Sequence, residues 1–309
     1  MKDKKIVFLG TPKIAAVFLE GILKKGVKVS LVVTKPDRVR KRNNKVVESE
    51  VSIIAKKNNI GVFKPENINE DFFIIKEIAP DLILTFAYGQ ILSSNILSLS
   101  KYKPLNIHGS LLPKYRGASP IQQALKNGDD ITGVSIIEMV PKMDAGPIYA
   151  KREIKIIPND NYTSLSEKVA NCSIDLFLGF LKNYFDNNIT PEYQVESDAT
   201  YCHYIKKDDL KLSLDEDVDS FVNHVRYLSF SPGGYLSYGD GIVKLYEVEK
   251  YEKEIDGKVG QLIIRNNQLF LKLKKGVVCV KTLQFSGKKI ISDLDYINGN
   301  KNRNPLILL

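Results

Sequence analysis

The near-continuous apolar run Lys5-Ile6-Val7-Phe8-Leu9 constrains this chain most. A run without polar alternation suits a strand covered on both faces of a sheet, which requires helices on both sides. Gly10-Thr11-Pro12 breaks it. The next segment spaces Ile14, Val17, Phe18, Gly21 and Ile22 along one helical face. The alternation then continues. Strands are expected at 29–33, 61–63 and 81–85, with helices near 49–58 and 70–78, so the reading is a parallel α/β sheet.

The layout is Rossmann-like, but the first βα turn carries one glycine rather than a G-x-G-x-x-G fingerprint. No bound dinucleotide is expected. Further on, a short helix should start at Pro120, strands should cover 133–139 and 148–156, and Ser164 with Glu167 should form a capping box. The box would open a helix whose stripe of Leu165, Val169, Cys172, Leu176, Phe177, Phe180 and Leu181 is core. Composition turns polar at 187–198. Beyond it the pattern predicts a helix over 217–228 and short strands turning at Gly239-Asp240-Gly241, Asn266-Asn267 and Lys275-Gly276. Strands so spaced suggest a small, OB-like β-barrel. The expected order is a domain over 1–189, a linker over 190–205 and a barrel domain over 206–309, with a polar, frayed end at 298–304.

Charge narrows the partner. The net charge is +9. Residues 1–189 hold 28 Lys and Arg against 19 Asp and Glu, and the remainder holds 17 of each, so the whole excess sits in the first part. Between Lys35 and Lys45, six positive residues face only Asp37. Such a loop is either a solvated surface or a contact for an anion such as nucleic acid. No apolar run approaches the roughly 18 residues of a membrane span. The start has no secretory h-region, so a cytoplasmic protein is expected. Cys172, Cys202 and Cys279 are too scattered for a zinc site or a disulfide framework. Neighbours on a strand point to opposite faces, so Cys202-His203 is not read as a reactive pair.

The densest chemistry lies in Asn106-Ile107-His108-Gly109-Ser110-Leu111-Leu112-Pro113-Lys114-Tyr115-Arg116-Gly117-Ala118-Ser119-Pro120-Ile121-Gln122. At the end of a strand, Asn106 and His108 fall on one face, where open α/β sheets bind ligands. Alone, the pair reads rather as a structural histidine and a turn residue, and Asp144 before Ala145-Gly146 as another turn.

Taken together, these residues resemble the 10-formyltetrahydrofolate-dependent formyltransferases. That family's signature, Asn-x-His-x-Ser-Leu-Leu-Pro with a downstream loop Asp, is matched by Asn106, His108, Ser110-Leu111-Leu112-Pro113 and Asp144. Thr34-Lys35-Pro36-Asp37-Arg38, Ala87-Tyr88-Gly89 and the run 114–122 match further loops of its tRNA-formylating members, and Thr200-Tyr201 and Ser231-Pro232 fall where their C-terminal domain begins. Two departures stand out. Residues 38–48 contain none of the family's loop glycines, and Gly233-Gly234 follow Ser231-Pro232 where an aromatic is usual.

The resemblance implies transfer of the formyl group of 10-formyltetrahydrofolate, as co-substrate, to the amino group of charged initiator tRNA (methionyl-tRNA). It implies Asn106, His108 and Asp144 as catalytic residues. Ser110, Leu111, Leu112, Pro113, Phe86, Ala87, Tyr88 and Gly89 would line the folate site, and Arg38, Arg40, Lys41 and Arg42 would contact tRNA. It implies neither metal nor nucleotide, no membrane, and a monomer. Relatives acting on sugar nucleotides or hydrolysing formyl-folate would need neither the basic loop nor the barrel. A non-catalytic RNA-binding protein would not need the Asn, His and Asp.

Overall fold

The computed structural model describes residues 4–40, 45–300 and 306–309. By chain contacts it divides into two compact units, 1–120 with 131–155 and 166–203, and 121–130 with 156–165 and 204–309.

The strands of the first unit are β1 (Ile6–Gly10), β2 (Leu31–Val33), β3 (Arg38–Arg40), β4 (Lys45–Val47), β5 (Val62–Phe63), β6 (Leu82–Phe86), β7 (Leu105–His108), β8 (Arg116–Gly117), β9 (Ile131–Glu138), β10 (Ile148–Lys155) and β11 (Tyr201–Cys202). The helices up to its end are α1 (Lys13–Lys24), α2 (Glu50–Lys57), α3 (Phe73–Ile78), α4 (Ser94–Leu97), α5 (Pro120–Asn127) and α6 (Tyr162–Phe185). Seven strands form one sheet in the order β10-β9-β7-β6-β1-β2-β5. All five residues of β1 and of β6 are buried, as their unbroken apolar runs require. β5, β2, β1, β6 and β7 pair in parallel. The expected parallel sheet ends there, because β9 is antiparallel to both β7 and β10. The short connection from β9 to β10 cannot hold the dozen or more residues of a parallel crossover. The order reverses between β1 and β6, and Thr11 Oγ1 bridges that switch point with a 3.1 Å bond to the Tyr88 carbonyl.

Two local expectations shift. The buried side of α1 is Ala15, Ala16, Phe18, Leu19 and Ile22, while Ile14, Val17 and Gly21 flank it half-buried. The small alanines carry little weight in a hydrophobic pattern, yet both are buried. Helix α6 begins before the expected box. Asn161 Oδ1 accepts from the Thr163 and Ser164 amides at 2.9 and 3.1 Å, and Ser164 Oγ accepts from the Asn161 amide at 3.1 Å. The box is therefore Asn161–Ser164, and Glu167 instead reaches Lys13 on the surface. The apolar stripe does pack as core, apart from the half-buried Cys172.

The second unit contains α7 (Val218–Leu228), β12 (Gly234–Tyr238), β13 (Gly241–Tyr251), β14 (Leu262–Arg265), β15 (Gln268–Leu273), β16 (Gly276–Phe285), β17 (Ile291–Ser292) and α8 (Asp293–Asn300). Helix α7 is capped by Asp217, whose carboxylate accepts from the Ser220 amide. The sheet is antiparallel, ordered β12-β13-β16-β15-β14, with β17 on β16. Asn266 and Asn267, both with positive φ (49° and 58°), form the two-residue β14–β15 turn. The two edges are tied by the chain's last residues. Leu309 exchanges backbone hydrogen bonds with Ser237 of β12, Ile307 bridges Gln261, and Leu262 donates to Leu306. Leu308 is fully buried in the core these strands enclose. Of the expected frayed end, 298–300 are helical and 301–304 lie outside the described residues.

Candidate active site

Strand alternation places Asn106 and His108 on one face of β7, and both reach Asp144. Asn106 Nδ2 donates to Asp144 Oδ1 at 3.2 Å, and His108 Nδ1 lies 3.5 Å from Oδ2. Oδ2 also accepts from the Gly117 amide at 2.9 Å. His108 and Asp144 are largely withdrawn from solvent, with side-chain exposures of 6% and 12%.

Each of the three is oriented by a neighbour. The neighbouring strand places Thr85 beside Asn106, and Thr85 Oγ1 donates to Asn106 Oδ1 at 2.7 Å. That fixes the amide: its oxygen is occupied, one N–H goes to Asp144, and the other has no partner among the described residues. His108 Nε2 lies 2.8 Å from the Tyr115 carbonyl. A carbonyl only accepts, so Nε2 carries a proton and Nδ1 is the nitrogen left to exchange one, beside the carboxylate. Asp144 has φ of 50°, in the left-handed region, within a loop that folds back over the sheet face. Because β9 runs antiparallel to β7, that loop starts beside the amino end of β7, where the Met139 amide donates to the Pro104 carbonyl. Two glycines allow the close approaches. A Cβ on Gly146 would stand 1.9 Å from the Glu138 carbonyl oxygen, and one on Gly117 2.2 Å from that of Cys202.

The residues expected around a folate divide. Ser110 is fully buried and its hydroxyl donates to the Lys114 carbonyl at 2.6 Å. Leu112 packs on Ile137 and Ile148. Leu111 and Pro113 remain half-exposed. Ser135 ties this loop to β9, accepting from the Leu112 amide and donating to the Ser110 carbonyl. On the other side, Phe86 points into the core against Phe18 (5.6 Å, edge-on). Ala87 and Gly89 are exposed with positive φ. Tyr88 is buried, its hydroxyl has no partner among the described residues, and burial pushes its phenol far above the ordinary range.

Arg38 is exposed on β3, Arg40 ends that strand, and β3 pairs with β4 as a small hairpin rather than a plain loop. Lys41 and Arg42 lie outside the described residues. Lys64 holds Asp37 in a two-pronged pair at 2.7 and 2.8 Å, so the loop's one acid is already neutralised. Among the described residues no group of three or more His, Cys, Asp or Glu side chains could hold a metal, and no helix is long and apolar enough to cross a membrane.

The sequence reading missed Thr85, Arg116 and Gln194. Arg116 lies inside the densest motif yet is fully buried. Gln194 sits in the polar segment read as linker and carries no local signal.

Residues 4–179 match the family model described as formyl transferase, and residues 204–301 match the formyl transferase C-terminal domain. A methionyl-tRNA formyltransferase of Thermotoga sp. (strain RQ2) is 39% identical over 297 residues, covering 96% of this chain and 95% of that protein. One of Clostridium acetobutylicum is 35% identical over 308 residues, covering 98% and 99%. Among solved structures, HypX from Aquifex aeolicus in complex with tetrahydrofolic acid shares the fold at a TM-score of 0.68 and 18% identity, over 95% of this chain and 47% of HypX. The sugar 3N-formyl transferase WlaRD does so at 0.64 and 19%, over 93% and 99%.

Proposed function

This chain belongs to the formyl transferase family, and on that premise we propose that it transfers the formyl group of 10-formyltetrahydrofolate to the α-amino group of methionyl-initiator tRNA for translation initiation. The convergence of Asn106, His108 and Asp144 carries this reading. The enzyme works as a cytoplasmic monomer, with residues 1–189 holding the folate site, 190–205 leading on from it while bonded to its active-site loops, and 206–309 forming an OB-like tRNA-binding domain.

The residues present fit a folate. Tyr88 offers an unpartnered hydroxyl within an apolar cluster, beside exposed backbone at Ala87 and Gly89, which suits a ring system with apolar faces and polar edges. Leu111 and Pro113 would cover the opposite side. Bound formyl-folate supplies an electrophilic formyl carbon. The attacking amine must be neutral, and a free α-amino group has a pKa of roughly 7.7–8.0, lowered further by esterification. The unpartnered N–H of Asn106 donates to the oxygen on which negative charge develops, and losing one such donor typically costs about 2.7–4 kcal/mol of barrier. His108, held by the Tyr115 carbonyl, moves the proton given up by the attacking amine through Nδ1 to the folate N10, which leaves as tetrahydrofolate when the formyl carbon is transferred. Asp144 orients both and balances the charge of the imidazole. Arg38, Arg40, Lys41 and Arg42 meet the phosphates of the tRNA acceptor arm. Their loop leaves the carboxyl end of β2, on the sheet edge where β7 also ends.

The test mixes the protein with formyl-folate and either charged or uncharged initiator tRNA and follows release of tetrahydrofolate. Release only with charged tRNA supports the reading, whereas release without it points to a hydrolase.

A further inference from the structure

The segment 192–202 is bonded along its length to both loops of the active site. Ile148 and Glu192 exchange backbone bonds of 2.7 and 2.8 Å. The Arg116 amide donates to the Thr200 carbonyl, and the Tyr115 amide to Thr200 Oγ1. Strand β11 pairs with β8. At its centre stands Gln194. Its Nε2 donates to the carbonyls of Asp144 (2.8 Å) and Gly146 (2.7 Å), and its Oε1 accepts from Arg116 Nε (3.1 Å). Only one orientation of the amide serves, because two carbonyls need donors and a guanidinium needs an acceptor. Arg116 is fully buried, and Glu196 fixes it from outside with a 2.9 Å bond to Nη1. Glu196 also pairs with Lys142 on the Asp144 loop.

This arrangement answers a specific need. Asp144 sits in left-handed backbone on a loop outside helix and strand, so although Asn106 and the Gly117 amide bond its carboxylate, no ladder of a regular element holds the backbone that carries it. We infer that Gln194 is the positioning residue of Asp144, clamping the carbonyls on either side of Ala145 while the buried Arg116 sets the amide. The inference rests on the catalytic reading given above. A side chain aimed by such a clamp loses alignment when the clamp goes, and displacement of about 1 Å can lower turnover up to 100-fold.

A double-mutant cycle in formyl transfer, with melting curves for every variant, tests it. Gln194→Ala and Gln194→Glu should each lower kcat about 10- to 100-fold with KM for formyl-folate and charged tRNA nearly unchanged. Gln194→Glu matters because it keeps the length and the acceptor for Arg116 but brings a carboxylate against two carbonyls. In an Asp144→Ala background, either change should lower kcat no further, since a residue acting through Asp144 has nothing left to act on. Multiplicative losses in that background, wild-type kcat in Gln194→Glu, or a kcat loss that only follows loss of folded protein would overturn this inference alone. Wild-type turnover in Asp144→Ala by itself would overturn the catalytic reading and this inference with it.

Discussion

Asp144 accepts from Asn106 and from the Gly117 amide and faces His108, so its removal breaks several interactions at once. Asn106→Ala, His108→Ala and Asp144→Ala should each lower kcat by about two or more orders of magnitude while leaving the melting curve cooperative. Single-turnover formyl transfer measures this, and near-wild-type turnover in any two would end the mechanism. Glu196 makes a separate prediction. The Lys142 ammonium, and after it the Arg116 guanidinium, hold its carboxyl down to about 2. A carboxyl depressed in the folded state stabilises it above the unfolded value and loses that contribution as pH falls toward the folded one. Wild type should therefore lose more thermal stability than Glu196→Gln on acidification from about pH 4.5 toward the folded value. Parallel curves of melting temperature against pH would refute the link.

Among the elements, the β3–β4 hairpin holds Arg38 exposed while Lys64 already occupies Asp37. Replacing Arg40, Lys41 and Arg42 with alanine should raise KM for charged tRNA and leave KM for formyl-folate nearly unchanged. The slope of log affinity against log salt should shrink by about 0.7–0.9 for each phosphate the loop no longer neutralises. Salt titrations of tRNA binding decide it, since equal slopes and affinities would make the hairpin an ordinary charged surface. The start of α6 teaches a different lesson. Ser164 and Glu167 have the right spacing for a capping box, but Asn161 takes the cap three residues earlier. Several polar residues near one helix start each satisfy a local rule, and only the observed backbone bonds choose among them.

For the molecule as a whole, the C-terminal sheet depends on its last four residues. Leu308 is fully buried and its amide donates to the Gly260 carbonyl, while its neighbours bond to Ser237 on one side and to Gln261 and Leu262 on the other. Leu308→Ala should destabilise this unit by about 2–5 kcal/mol, read as a lower urea midpoint for its transition. An unchanged midpoint would mean that the last residues only lie against the sheet. The composition of 298–304 suggested fraying, and nothing local marks 306–309 as the segment that ties two strand edges, because their partners lie far back along the chain.

Whatever depends on short-range periodicity was legible in the chain alone. The pattern placed β1 as a doubly covered strand, gave the main alternation of strands and helices, and put Asn106 and His108 on one face, because side chains on a strand alternate with a period of two. Periodicity paired only Asn106 with His108, and Asp144 and the folate-lining residues came from the resemblance to the formyltransferase motif. Whatever depends on distant pairings was decided by the tertiary structure. It turned β9 antiparallel and so brought the Asp144 loop back across the sheet face. It made the polar segment 192–202 a clamp on two loops instead of a plain connection. It set Thr85 behind Asn106 through strand pairing. Each of these joins residues far apart in the chain by hydrogen bonds to the backbone or to a neighbouring side chain, and such bonds leave no periodic mark in either partner's own sequence.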